Sequence, residues 1–134
     1  MPVSRRQFIN YALTGTVVSA TSGFSFSQTS GVIKPNKLEP GMTVGLVSPA
    51  SNAEEDEDIL ASIEFVKSLG FEAKASPNLF ARNQYLAGTD QQRAQDLNGF
   101  FADPEIDAIF CTRGGYGAPR ILPYLDYGII AANP

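Results

Sequence analysis

The stretch Ala108–Tyr127, AIFCTRGGYGAPRILPYLDY, decides the fold. An apolar run, Ala108 to Cys111, breaks into Arg113-Gly114-Gly115-Tyr116-Gly117. Pro119 then suits the first turn of a helix, where its missing N–H is no loss, and Ile121, Leu122 and Leu125 follow as an apolar face. The order is strand, glycine loop, helix. In open α/β sheets ligands bind at that edge, outside the carboxyl ends of the strands. Glycine admits positive φ and lets a backbone N–H approach a ligand with no Cβ in the way. The loop therefore suits an anionic or developing oxyanionic group, and it equally suits a tight turn with no ligand.

The residues upstream repeat the same alternation. TVGLVSPAS, Thr43–Ser51, holds Val44, Leu46 and Val47 in a short run that predicts a strand buried on both faces. Ser51 is placed to cap a helix whose first turns carry Glu54, Glu55, Asp56, Glu57 and Asp58, favourable at the positive end of the helix dipole. Ile59, Leu60, Ile63, Val66 and Leu69 form its predicted apolar stripe, and Gly70 ends it. The acidic run lacks the ligand spacing of a calcium loop. FEAKASPNLF predicts a second strand. Thr89 and Gln92 make a capping box for a helix with Ala94, Leu97 and Phe101 on one face and Phe100 beside them, stopped at Asp103-Pro104. IDAIFCT leads into the glycine loop. Three strands alternating with helices predict a doubly wound, mostly parallel α/β sheet over residues 43–134 with right-handed crossovers.

Residues 1–28 read differently. Ser4-Arg5-Arg6-Gln7-Phe8-Ile9 precedes a mildly apolar, Ser-, Thr- and Gly-rich stretch too short for a spanning helix. That is the order of a secretion signal in its twin-arginine form, which predicts export to the periplasm or beyond and no stable membrane anchor after cleavage. The alternative is an amphipathic N-terminal helix. Residues 29–42 are a Pro- and Gly-broken lead-in segment. The whole chain has a net charge of -4; without Arg5 and Arg6, eight basic residues face fourteen acidic ones, giving -6. That balance argues against a nucleic-acid partner. The 134 residues contain no histidine, so none of them supplies an imidazole base or metal ligand. Cys111, mid-strand among apolar neighbours, reads as an inert core thiol.

Cofactor signatures fail one by one. After Gly115 and Gly117 the third glycine of a dinucleotide fingerprint is replaced by Arg120, and the first βα turn, Ser48-Pro49-Ala50-Ser51, has none. No Gly-Lys-Ser or Gly-Lys-Thr phosphate loop and no Gly-x-Ser-x-Gly elbow is present. No cofactor and no metal is expected. Arg113 is a candidate for gripping a carboxylate, against a plain surface arginine. Tyr116 is a candidate to lie over a substrate, against half-buried packing. Ser48 and Ser51 lie at a strand's carboxyl end, as cleft lining or as helix caps.

LEPGMTVGLVSPAS, YLAGTDQQRAQDLNGFFADPEIDAIFCTRGGYGAPRILPYLDY and the final Asn133-Pro134 together resemble the N-terminal part of the LD-carboxypeptidases, serine peptidases that include the microcin-immunity peptidases. The resemblance covers about residues 37–134 and rests on Tyr85-Leu86-Ala87-Gly88-Thr89-Asp90, Arg93, Asp96-Leu97-Asn98, Asp103-Pro104 and the Arg-Gly-Gly-Tyr-Gly loop. It implies a flavodoxin-like or class I glutamine amidotransferase-like N-terminal domain. It implies release of the terminal D-alanine of murein tetrapeptides by a metal-free Ser-His-Glu triad, with Gly114 and Gly115 beside the nucleophile as oxyanion-hole candidates. It allows a homodimer for the full-length protein. In the family the serine follows the next strand, and the Glu and His come from a later domain. The chain is thus expected to be a fragment, inactive alone, with one sheet edge open. A non-catalytic module binding murein peptides is the alternative; the failed fingerprints argue against a nucleotide-binding domain.

Overall fold

The computed structural model describes residues 34–134; the segment read as a secretion signal and the start of the lead-in segment lie outside the described residues. Strand β1 is Thr43–Val47, with Val44, Leu46 and Val47 all buried. Helix α1 is Asp56–Ser68, β2 is Glu72–Ala75, α2 is Asp90–Ala102 and β3 is Ala108–Cys111. The sheet has the order β2-β1-β3, and both pairings are parallel, with Val44 opposite Ala73 on one side and Ala108 on the other. The unbroken apolar run of β1 follows from its central place, because both of its faces are covered.

One face carries the main core. Val44 and Leu46 pack with Ile59 and Val66 of α1 and with Leu79, and Leu38, Ile63, Ala73 and Phe110 lie against them. The other face receives α2. A Cβ on Gly45 would stand 2.5 Å from the Phe100 ring, so glycine here admits the helix rather than a special dihedral. The doubly wound, parallel α/β expectation holds.

Local expectations fare unevenly. Ser51 does not cap α1. The helix starts at Asp56 after Glu55, which makes no side-chain cap, and Ser51 pairs with Leu86 instead. The acidic first turn remains, with Asp56 in an ion pair with Arg82, which also donates to the Ala53 and Glu54 carbonyls. Of the predicted stripe, Ile59 and Val66 are buried and Ile63 partly so, whereas Leu60 and Leu69 are about half exposed. At about 100° per residue the first three lie within one narrow sector, and Leu60 and Leu69 fall on either side of it. Gly70, at φ +89°, sits just past Leu69 and donates to the Lys67 carbonyl at 2.9 Å, the left-handed helix end its position predicts.

The capping box of α2 is present, with Gln92 N donating to Thr89 Oγ1 at 3.2 Å and Thr89 N to Gln92 Oε1 at 2.9 Å. The buried face differs from the expected one: Arg93, Ala94, Asp96 and Phe100 are buried, while Leu97 and Phe101 are partly covered. Cys111 is exposed, which corrects the core-thiol reading, since β3 has no strand on its outer side among the described residues. Protein around it still pushes the thiol pKa up by desolvation. After the loop, α3 is only Ala118–Ile121; a 3-10 turn, Leu122–Tyr124, and α4, Tyr127–Ala132, follow. Pro123 has no N–H to continue α3, and of the predicted apolar face only Ile121 is buried. Asn98 brackets this region, donating to the Tyr124 carbonyl and accepting from Asp126 N, both at 2.9 Å.

Candidate functional site

The chain leaves β1 towards β2 on one side, then returns past β1 to β3 on the other. The carboxyl ends of β1 and β3 therefore flank the topological switch point, where open sheets of this kind hold ligands. Two loops meet there. Ser48 follows β1 and Thr112 follows β3; their hydroxyl oxygens are 2.6 Å apart, and Thr112 N donates to the Val47 carbonyl at 2.9 Å. Ser48 is buried, so its hydroxyl serves this junction and not the open cleft.

The glycine loop stands above the junction. Gly115 and Gly117 have φ of +113° and +101°, and Gly114 has no positive φ. Gly117 is the tightly packed one, since a Cβ there would lie 2.4 Å from Leu86 Cδ2 and 3.2 Å from Arg93 Nη1. Gly114 and Gly115 face open space, with nothing within 4 Å of a built Cβ. Their amides donate to no other described residue. Two exposed N–H groups at a switch point can meet an anion or an oxyanion. Tyr116 is 88% exposed, which overturns the half-buried packing reading and leaves its ring projecting from the loop. Arg113 is also exposed and pairs with no carboxylate among the described residues. The structure thus brings Arg113, Gly114, Gly115 and Tyr116 to one open rim with Ser48 beneath. Ser51 is drawn aside to Leu86 by a bridge that Ala87 N extends, donating to the Ala50 carbonyl at 3.0 Å.

Arg93 is the residue sequence reasoning did not single out as part of this site. Its Nη1 donates to the Pro49 carbonyl at 2.6 Å and the Gly117 carbonyl at 3.0 Å, while Nη2 pairs with Asp90. Asp90 is also held by Arg120 Nη2 at 2.9 Å. Two signals were available: an arginine three residues after an aspartate in the first turn of a helix, and the place of Arg93 among the residues that carry the family resemblance. Asp96 is likewise buried, accepting from Ser76 Oγ at 2.6 Å, Asn78 Nδ2 at 2.7 Å and Asn78 N at 3.2 Å, which fixes the turn after β2. A separate concavity of about 550 Å³, lined by Met42, Phe100, Asp107 and Ala108 among others, lies at the amino ends of β1 and β3, the far end of the sheet from the glycine loop. It holds none of the candidate residues.

Comparison with known proteins gives a consistent result. The LD-carboxypeptidase N-terminal domain matches residues 44–134. The chain is 40% identical over 92 residues to the murein tetrapeptide carboxypeptidase of Pseudomonas aeruginosa, covering 68% of this chain and 30% of that protein. It is 36% identical over 101 residues to a probable murein peptide carboxypeptidase of Bacillus subtilis, covering 75% and 31%. Among solved structures it resembles the microcin C7 self-immunity protein MccF in complex with aspartyl sulfamoyl adenosine, with a TM-score of 0.71, 31% identity and coverage of 76% and 31%. A MccF-like protein from Bacillus anthracis gives a TM-score of 0.69 at 31% identity, with 75% and 31% covered. The chain spans about a third of the length of these relatives. It belongs to the LD-carboxypeptidase family, and residues 44–134 are the family's N-terminal domain.

Proposed function

We propose that this chain is the N-terminal part of a serine LD-carboxypeptidase that hydrolyses the L-to-D amide of murein tetrapeptides and releases the terminal D-alanine. The observation that carries the reading is the open Gly114-Gly115 pair at the switch point of a domain of this family. A serine hydroxyl attacking the amide carbonyl turns its oxygen into an oxyanion, and N–H donors already aimed at that oxygen lower the barrier without reorganising. Gly114 and Gly115 supply such donors from an exposed loop. In this reading Arg113, on the same rim, binds the substrate's carboxylate and Tyr116 lies over the substrate; the exposure of both side chains supports it.

The triad's histidine comes from outside these 134 residues, which contain none. We assign the nucleophilic serine and the glutamate to the same missing part, so the chain alone does not turn over substrate. No cofactor enters this chemistry. Residues 1–28 direct export by the twin-arginine route, and the substrate is then periplasmic murein peptide.

The test is D-alanine release from purified murein tetrapeptide. The full-length gene product is expected to release it, and the 134-residue chain is not. Release by the short chain, or none by the full-length protein, sinks the reading. For export, residues 1–28 fused to a folded reporter should carry it to the periplasm, and Arg5→Lys with Arg6→Lys should retain it in the cytoplasm.

A further inference from the structure

We propose that Arg93 is a positioning residue: its buried guanidinium holds the glycine loop in the shape that presents the Gly114 and Gly115 amides. Arg93 is 1% exposed, the least exposed charged side chain among the described residues. Its Nε finds no partner among them. Burying a cation with one N–H unsatisfied is costly, and apolar replacements of buried ion pairs are often neutral or stabilising. Stability alone is therefore a poor reason for this arginine.

Its contacts supply a better one. A single nitrogen, Nη1, ties the Pro49 carbonyl after β1 to the Gly117 carbonyl after β3. The Gly117 carbonyl also accepts from Arg120 N at 3.1 Å, so two donors fix its direction. Arg120 in turn grips Asp90, which pairs with Arg93. The end of the loop is thus held directly and through a carboxylate. Gly115 and Gly117 have no side chain to restrict them and lose more freedom on ordering than other residues. The restraint must come from outside the loop, and a planar fork with fixed donor directions supplies it where a lysine point charge does not.

The inference rests on the function proposed above only for its catalytic consequence; the restraint itself is read on this chain. In Arg93→Met, amide exchange at Ala118 and Arg120, whose N–H groups bond to Gly115 and Gly117, should accelerate by about tenfold or more. Glu72 and Ser76, bonded across the β1–β2 side, should stay within about twofold of wild type. Arg93→Lys should fall between, and it carries the test where the Met variant does not fold. Unchanged loop amides, or all four accelerating together, overturns the proposal. In the full-length protein Arg93→Lys should lower kcat for D-alanine release by about tenfold with KM within about threefold. A raised KM with kcat intact also overturns it. A full-length wild type that releases no D-alanine sinks the functional reading alone and leaves the exchange result standing.

Discussion

Ser48 Oγ and Thr112 Oγ1 lie 2.6 Å apart and join the carboxyl ends of β1 and β3 beneath the glycine loop. Thr112 Oγ1 also lies 3.3 Å from the Val47 carbonyl, so a three-member chain of polar groups closes the root of the switch point. A buried hydroxyl is stable only when paired, and the buried Ser48 hydroxyl finds its partner in the half-buried Thr112.

That pairing predicts non-additive substitutions. Thr112→Val should cost about 1–2 kcal/mol, because it leaves the buried Ser48 hydroxyl without its partner, and Ser48→Ala about 0.5–1 kcal/mol, because Thr112 Oγ1 keeps the Val47 carbonyl. The double variant should cost less than the sum, with a coupling of about 0.5–1.5 kcal/mol. Urea unfolding of the four proteins in the cycle measures it. Strict additivity would show that the contact contributes nothing.

The three loop glycines should separate by stability. Gly117→Ala meets both a left-handed φ of +101° and Leu86 Cδ2 at 2.4 Å. Strain and overpacking together should cost about 2–5 kcal/mol. Gly115→Ala meets only the φ of +113°, in open space. It should cost about 1–2 kcal/mol. Gly114→Ala meets neither and should stay within about 0.5 kcal/mol of wild type. Thermal or urea unfolding gives the order, and a destabilised Gly114→Ala would contradict the loop geometry.

Lys74, on β2, reaches the loop that follows α2. Its Nζ lies 2.9 Å from Asp103 Oδ2 and 3.3 Å from Glu105 Oε2. The Lys74 hydrogen bond, and then the Glu105 N–H, hold the Asp103 carboxyl below the usual aspartate range. A depressed folded pKa gives stability that is present above the unfolded aspartate value of about 3.9 and is lost as pH falls through the folded one. Lys74 is raised by the same partners, so its share is present below about pH 10.4 and lost above its folded pKa. Unfolding midpoints should therefore drop at both extremes. Lys74→Met should flatten part of both limbs, and high salt should shrink the difference because the groups are open to solvent. Identical pH profiles for the two proteins would remove the pair from the account.

The fold was legible where a local rule acts alone. The apolar run of β1, the Thr89–Gln92 box, Gly70 past the end of α1 and the position of Arg-Gly-Gly-Tyr-Gly at a strand's carboxyl end all follow from neighbours in sequence. What was not legible depends on partners far along the chain. Ser51 looks like a cap until Leu86 arrives to pair with it. Arg93 stands in the sequence only as a residue shared with the family, and its part in the site appears once the Pro49 and Gly117 carbonyls are seen to converge on it. Cys111 reads as core because an apolar strand pattern does not say whether its outer side is covered. The site inherits this division: the glycines were visible, and the buried cation that holds them was not.

Asp96 offers the sharpest test of that second class. Its carboxylate is buried in α2 and takes three hydrogen bonds from Ser76 and Asn78, the residues that turn the chain out of β2. Asp96→Ala would strand the buried Ser76 hydroxyl and leave the half-buried Asn78 amides without their acceptor, costing about 1–3 kcal/mol. Asp96→Asn keeps one acceptor oxygen for Asn78 Nδ2 but turns an NH2 group towards Ser76 Oγ, which can rotate to accept, and towards the Asn78 N–H, where a donor faces a donor. It should recover less than half of the loss. An apolar reading of this helix face, with Asp96 merely tolerated, predicts the reverse: Asp96→Leu would stabilise the domain. Urea unfolding of the three variants decides between them.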